Sequence, residues 1–350
     1  MFEILKFFSQ HIITNDFSIK DAMEKIDSLG VSSTTTRNYK FLILVDENKK
    51  LLGTITDGDI RRSILAGKNL DSKIINSANL EPHYGIMNQE IKNKNILTSV
   101  LHDTYFLPII NKNKEVVNIL VANNSIHTRK VSVLIMAGGF GKRLGNITKN
   151  TPKPLLKKNG KPLIDHVLNI IKKSNNIEEV FISTHYLSDL LEEHIKSKKY
   201  NVPISIIREE KPLGTAGALS LINADKENKN YLVINADLIT NIDIDSLITF
   251  HGLSLNDATI AVANYSFKVP YGVIEYSSDG TFLELLEKPD IKKYVAAGIY
   301  ILSAKFKDLI PYNSVIDMPE LINNGKKARL NIGVFPIHEL WSDIGRPEDL

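Results

Sequence analysis

An apolar, β-branched run, Val131 to Met136, ends in three glycines within four residues, Gly138, Gly139 and Gly141. No other stretch restricts the fold of this chain as much. A short apolar run stopped by glycine reads as a strand buried on both faces, which belongs in a parallel sheet covered by helices. Glycine has no Cβ, so the backbone can take positive φ and come close to a ligand. Successive amides in such a loop form an anion-binding nest. Arg143 follows with a planar fork that suits phosphate. Lys153 comes ten residues later, between Pro152 and Pro154, which stiffen its mount. A stiff mount lets an ammonium meet developing charge without moving. The segment reads as a polyphosphate cradle.

Two other glycine motifs are excluded. A dinucleotide fingerprint counted from Gly139 meets Leu144 at its third glycine position, and a Walker A loop ending at Gly141-Lys142 meets Met136 at its first. What the segment does resemble is the signature of the sugar-phosphate nucleotidyltransferases: Gly-Gly-x-Gly-x-Arg-Leu, then Thr, then Pro-Lys-Pro-Leu. The resemblance covers residues 131 to 350, and Lys142 stands where that family often has threonine. It implies a Rossmann-like α/β domain with a mostly parallel twisted sheet. It also implies an enzyme that joins a nucleoside triphosphate to a sugar 1-phosphate and releases pyrophosphate. Ala137, Gly138, Gly139, Gly141 and Lys142 would cradle the nucleotide, with Arg143 and Lys153 as catalytic cations.

The downstream motifs carry the same resemblance. Glu209-Glu210-Lys211-Pro212-Leu213-Gly214-Thr215-Ala216-Gly217 is similar to the base-binding loop. A carboxylate there can accept the two adjacent donors of guanine, so GTP is expected, with Glu209 or Glu210 as reader and Gly214, Thr215 and Ala216 around the base. Gly214 and Gly217 would let the backbone approach the purine. Tyr231 to Asp237 reads as a buried strand ending in an acid, and Asp343 follows Trp341-Ser342. The family uses these two acids to hold Mg²⁺, which suits a cation that takes one or two carboxylates and fills its shell with phosphate and water. Tyr271-Gly272-Val273-Ile274-Glu275, Glu287-Lys288-Pro289 and Ala297-Gly298 resemble the sugar-phosphate site. There Lys288 would hold the acceptor phosphate, Glu287 a hydroxyl, and Gly298 would lie close to the sugar.

Residues 1 to 125 hold no catalytic constellation. Ser18-Ile19-Lys20-Asp21 reads as a capping box, with apolar helical spacing from Ile19 to Leu29 and a stop at Gly30. Phe41–Val45 and Leu51–Thr56 read as strands around a turn, followed by a helix over 57–66. A weaker copy, 105–110 and 116–121, lies 64 residues on if Tyr105 answers Phe41. The pattern resembles a tandem pair of cystathionine-β-synthase (CBS) modules, an α/β domain. In that family Thr56 and Asp59 would hold a nucleotide's ribose. A nucleotide sensor and a purely structural pair that builds a homodimer both remain open. A polar linker is expected over 126–130 and the catalytic domain over 131–350.

Composition bounds the remaining choices. With 43 basic against 40 acidic residues the net charge is +3, and no basic block points to nucleic acid. There are no cysteines, which allows a reducing cytoplasm, the expected location. No apolar run approaches the roughly 18 residues that span a bilayer, so no membrane partner is expected. A CBS pair fused to a nucleotidyltransferase narrows the resemblance to the glucosamine-1-phosphate guanylyltransferases of legionaminic acid synthesis, a route to surface glycans. Mannose- and heptose-1-phosphate enzymes are close alternatives. The rival of another class is a catalytically silent, nucleotide-sensing regulatory subunit.

Overall fold

The computed structural model describes residues 2–31, 39–101, 103–122, 130–223 and 229–350. The chain forms two compact units, Met1–Arg129 with Asp245–Asn256, and Lys130–Ile244 with Asp257–Leu350. Of the expected linker, only Lys130 lies among the described residues. The helix Ile244–Leu253, with Leu247, Ile248, Phe250 and His251 all buried, is grouped with the first unit although it lies deep in the second unit's sequence. Its apolar residues announce burial but carry no sign of which unit provides it.

In the first unit, Ile12–Thr14 runs parallel to Phe41–Val45, which pairs antiparallel with Leu51–Thr56. The second copy repeats this: Gly85–Ile86 is parallel to Phe106–Ile110, which is antiparallel to Val116–Ala122. Phe2–Ile4 adds an edge strand to that copy. The sequence reading missed the short strand that opens each copy, because two or three residues show no periodicity. The first helix is capped as expected: Asp21 Oδ2 accepts from the Ser18 amide at 2.8 Å and Ser18 Oγ from the Asp21 amide at 3.1 Å. It runs Ile19–Val31, through Gly30 rather than stopping there.

The copies are offset by 65 residues, not 64, so Phe106 rather than Tyr105 answers Phe41. The turns fix this register. Asp46 Oδ1 accepts from the Asn48 and Lys50 amides, and Asn111 Oδ1 accepts from the Asn113 and Glu115 amides. Lys49 and Lys114 both take positive φ, 60° and 65°. The turns meet across a local two-fold axis, with Leu51 N donating to Lys114 O and Val116 N to Lys49 O, both at 3.0 Å. Phe41 stacks on Phe106 at 3.8 Å between centroids. A slip of one residue would turn every core side chain to the wrong face.

This pairing explains why Phe41–Val45 is buried throughout. Leu42 and Leu44 pack with Ile19, Ile26 and Ile60 of the flanking helices, while Phe41, Ile43 and Val45 pack on the other copy's sheet. A strand covered on both faces needs no polar alternation.

His11 is buried beside this centre, stacked on Phe41 at 4.5 Å, and its Nδ1 donates to the Phe41 carbonyl at 2.9 Å. Burial lowers its pKa, and outweighs the opposing effect of that hydrogen bond. A lowered folded pKa means stability fully present above about pH 6.5 and lost as pH falls through the folded value. The first unit is therefore expected to weaken on mild acidification. Thermal melts of the wild type and His11→Asn, between about pH 7.5 and about pH 5, measure it. Equal pH slopes in the two proteins would rule His11 out.

The second unit is built on a seven-stranded sheet ordered Ile204–Arg208, Ile177–Thr184, Val131–Met136, Asn230–Asn235, Asp290–Ser303, Ala258–Lys268, Ile332–Ile337. Only Asp290–Ser303 runs against the rest. The mostly parallel sheet is thus as the sequence implied. From Val131–Met136 the chain first builds outward through Ile177–Thr184 and then returns to the other side with Asn230–Asn235. That reversal opens a crevice at the carboxyl ends of these strands, where open α/β sheets bind ligands. The helix Leu163–Lys173 packs against Leu238–Thr240, with Leu163, Ile164, Val167, Ile170 and Ile171 buried.

Candidate active site

Three strand ends meet at the crevice. Ala137 N donates to Ser183 O at 3.0 Å and Ala236 N to Met136 O at 3.2 Å, locking the loops that follow to one another. The glycines of the cradle have separate reasons. A Cβ on Gly138 would lie 2.8 Å from Glu209 Oε1, and one on Gly141, where φ is +62°, would lie 2.7 Å from Thr148 Cγ2. Gly139 alone of the three faces open space. Thr148 Oγ1 lies 3.2 Å from the carbonyls of both Gly141 and Gly145, tying the loop into a tight hook. Phe140 packs edge-on against His185 at 5.5 Å, and Lys142 Nζ sits 5.5 Å over the Phe140 ring. Arg143 remains exposed at the rim.

The acids come together through a pairing that no local sequence feature signals. Leu238–Thr240 pairs antiparallel with Trp341–Asp343, with Leu238 opposite Asp343, and Ile344 N donates to Asp237 O at 3.1 Å. Asp237 and Asp343 therefore emerge side by side. Lys153 Nζ forms an ion pair with Asp237 Oδ2. The other oxygen, Asp237 Oδ1, is buried with no hydrogen-bond partner. Asp343 keeps a face to solvent, yet the protein around its carboxyl and, next, the charge of Asp237 raise its pKa. Lys153 and Arg143 act in the opposite sense. Asp349 holds the turn beyond it, its Oδ2 accepting from Gly345 N at 3.0 Å and Arg346 N at 2.7 Å.

The loop at 209–217 is tied to the chain at 314–318. A Cβ on Gly214, where φ is +78°, would meet Ile316 O at 2.6 Å, and one on Gly217 would meet Ser314 O at 2.4 Å. These glycines make room for the chain at 314–317. Asp317 Oδ1 accepts from the Thr215 amide at 2.9 Å, and Met318 N donates to Thr215 Oγ1 at 2.7 Å. Ala216 is fully buried. The two glutamates also separate. Glu209 is buried, its Oε2 accepting from Leu213 N at 2.9 Å, while its carbonyl accepts from His185 Nδ1 at 2.9 Å. Glu210 is exposed and makes no hydrogen bond or ion pair among the described residues.

On the opposite side, Gly298 takes φ +73°, and a Cβ there would meet Asn235 Nδ2 at 2.6 Å. Trp341 Nε1 donates to the neighbouring Ala297 carbonyl at 2.9 Å, so Gly298 is held beside the acid-bearing strand ends. Tyr271, Gly272, Glu287 and Lys288 stand apart. They frame an exposed hairpin, Val273–Tyr276 with Phe282–Leu286. Lys288 Nζ lies 3.5 Å from Glu287 Oε1, both side chains more than half exposed, and shares no ion pair with the Asp237 cluster among the described residues. The glycine loop, Lys153, the two aspartates and Gly298 cluster at the strand ends, while Tyr271, Gly272, Glu287 and Lys288 belong to an outlying arm.

Thr56 and Asp59 of the first unit are engaged with each other. Thr56 Oγ1 donates to Asp59 Oδ2 at 2.7 Å, the two residues cap the helix Asp57–Leu65, and Asp59 Oδ1 pairs with Arg62 at 2.6 Å. The position answering Asp59 in the second copy falls outside the described residues.

Comparison with known proteins agrees with the second unit's architecture. A family model described as nucleotidyl transferase matches residues 132–350. A mannose-1-phosphate guanyltransferase beta-B from Xenopus laevis is 30% identical over 63% of this chain and 62% of its own length. A mannose-1-phosphate guanyltransferase from Schizosaccharomyces pombe is 30% identical over the same shares. The chain thus spans less than two thirds of the length of these relatives. Among solved structures, a putative glucose-1-phosphate thymidylyltransferase from Bacillus anthracis, in complex with a sucrose, is 26% identical. It superposes with a TM-score of 0.50 over 63% of this chain and 92% of its own. A match across well over half of its residues makes this chain a member of the nucleotidyl transferase family.

Proposed function

We propose that the second unit joins GTP to a hexose 1-phosphate, giving a GDP-sugar and pyrophosphate. The observation that carries this is the cluster of Lys153, Asp237 and Asp343 at the strand ends, beside a glycine hook with one open face. The attacking sugar-phosphate oxygen is already an anion, so the reaction needs no general base. It needs two polyanions brought together, and positioning with charge neutralisation supplies that. Lys153, stiffly mounted, meets the α phosphate and the departing pyrophosphate. Arg143 at the rim meets the outer phosphates. Lys288 carries the acceptor phosphate, which requires the hairpin arm to approach the cluster.

The acidic pair fits Mg²⁺. Among the described residues, two adjacent carboxylates, one with a buried oxygen that no donor satisfies, face a single ammonium. Such a pair is short of positive charge, and magnesium needs no more than one or two carboxylates beside phosphate oxygens and water. A bound ion would neutralise charge on the phosphates. For the base, Glu210 is the better guanine reader, because Glu209 is occupied in holding Leu213. The mannose-1-phosphate guanyltransferase names of the relatives support guanine. Glucosamine 1-phosphate, and with it a role in legionaminic acid and surface-glycan synthesis, rests on the CBS-type architecture ahead of the catalytic unit. The 65-residue repeat with a two-fold axis supports a CBS pair, and the self-satisfied Thr56–Asp59 box favours a scaffold that builds a homodimer over a nucleotide sensor.

A pyrophosphate-release assay with GTP, UTP, CTP and dTTP against glucosamine, mannose and heptose 1-phosphates tests the reading. GTP is expected to exceed the others, and Glu210→Gln to narrow that preference. A pyrimidine nucleotide as best substrate would overturn the guanine assignment, and silence with every pair would favour the regulatory subunit. Mannose as the best sugar would place the protein with its named relatives.

A further inference from the structure

The second unit carries a cleft of about 740 Å³ along the helix Leu163–Lys173, within the size range of sites for small metabolites. Lys157, Lys161, Lys172, Lys198 and Lys199 line it against one carboxylate, Asp165. That carboxylate is spoken for. Lys198 Nζ lies 2.5 Å from its Oδ2 and His194 Nε2 2.9 Å from its Oδ1. Burial would raise the Asp165 pKa, but these two hydrogen bonds hold it below the usual carboxylate range. Lys157, Lys161, Lys172 and Lys199 have no ion pair or side-chain hydrogen bond among the described residues. Tyr200 also lines the cleft, and its hydroxyl is buried without a partner.

A chain carrying only three net positive charges over 350 residues has thus placed an excess of four in one concavity. Like charges gathered in one concavity repel one another and focus a field that a compact anion relieves. Ammonium groups on flexible stems serve phosphate as point charges. The buried hydroxyl adds a donor that has nothing to bond. A long anionic polymer would need a track of charge beyond the cleft, and the near-neutral chain gives no basic block for one.

We propose that this cleft is a second anion site, for a small metabolite bearing a di- or triphosphate, separate from the Lys153–Asp237–Asp343 cluster. Its position gives it a route to that cluster. Leu155 lines the cleft and closes the short helix Lys153–Leu155, and Leu156 N donates to Lys153 O at 3.0 Å. An anion drawn into the cleft presses on the turn that mounts Lys153, so occupancy changes turnover. That second effect rests on the proposed reaction; the binding does not.

Titration calorimetry on the full chain tests it, with pyrophosphate and GDP as separate probes in the absence of divalent cations. Wild type is expected to show an equivalent of anion that Lys161→Glu/Lys172→Glu loses, the affinity falling about tenfold or more per lysine. Lys153→Ala is expected to keep it. This separates the cleft from the catalytic reading: if the cradle binds nothing, the cleft equivalent still appears. Preference for pyrophosphate or for GDP tells an inorganic from a nucleotide source. Binding that Lys161→Glu/Lys172→Glu retains but Lys153→Ala abolishes would overturn the proposal. So would binding to phosphatidylglycerol vesicles, through the same lysines, without any affinity for either probe.

Discussion

Lys153→Ala is expected to lower turnover by about 10²–10³-fold, the usual cost of removing one preorganised group that faces developing charge. The structure makes the case stronger than the motif did. Lys153 sits between buried Pro152 and Pro154, and its ammonium pairs with Asp237 across strands remote in sequence. It is the one ammonium in ion-pair contact with the acidic pair among the described residues. Removing it leaves two carboxylates facing each other, so the protein should also lose stability. The half-buried setting places that loss between a surface pair, at about 0–1 kcal/mol, and a buried one, at about 3–5 kcal/mol. Single-turnover kinetics and a thermal melt separate the two effects. Mg²⁺ should recover part of the lost stability and little of the rate, because the ion replaces the charge but not the ammonium's position. A variant with wild-type turnover would remove Lys153 from the mechanism.

Asp343→Asn is expected to abolish most activity, by about 10²-fold or more, and yet to melt higher than wild type. The sign follows from the pKa. Asp343 is raised by the protein around its carboxyl and then by Asp237. A raised folded pKa gives stability that is present below the unfolded value of about 3.8 and lost as pH rises through the folded one. At neutral pH the ionised carboxylate is therefore a cost, and a neutral amide removes it. Because Asp343 keeps a solvent face, screening limits the gain to a few degrees at most. Calorimetry with and without Mg²⁺ checks both halves. Wild type should gain thermal stability from the ion and Asp343→Asn should gain much less. A variant that melts lower than wild type, in the absence of ions, would show that Asp343 is held by favourable contacts and is not strained by Asp237.

Much of the candidate site could be read locally. Val131–Met136 needed only five apolar residues in six and the glycines after it, since a doubly covered strand has no other pattern. The cradle was legible because positive φ and close approach demand glycine at fixed positions. At Gly214 and Gly217 the same demand for close approach comes from within the chain. Glycine reports that something comes close, not what it is, and there the neighbour is the chain's own backbone at 314–316. The repeat in the first unit was visible, but its register was not. Tyr105 and Phe106 are equally plausible partners for Phe41 in sequence, and only the matched turns at Asp46 and Asn111 distinguish them. Glu209 and Glu210 are neighbours of one charge type, and which is buried depends on the strand end at Thr184 that receives the Glu209 amide.

By itself the sequence determined the architecture of the second unit: a glycine loop at the end of a buried parallel strand, in a nucleotidyl transferase sheet. Those features are local, because strand burial, glycine conformation and a proline-mounted lysine are set within a few residues. The tertiary structure alone decided what faces what. It put Asp343 beside Asp237 through the pairing of Leu238–Thr240 with Trp341–Asp343, turned Glu209 inward, left Glu210 free, and gathered five lysines around Asp165. Such juxtapositions depend on contacts between residues far apart in the chain, and charge acts through space rather than along sequence.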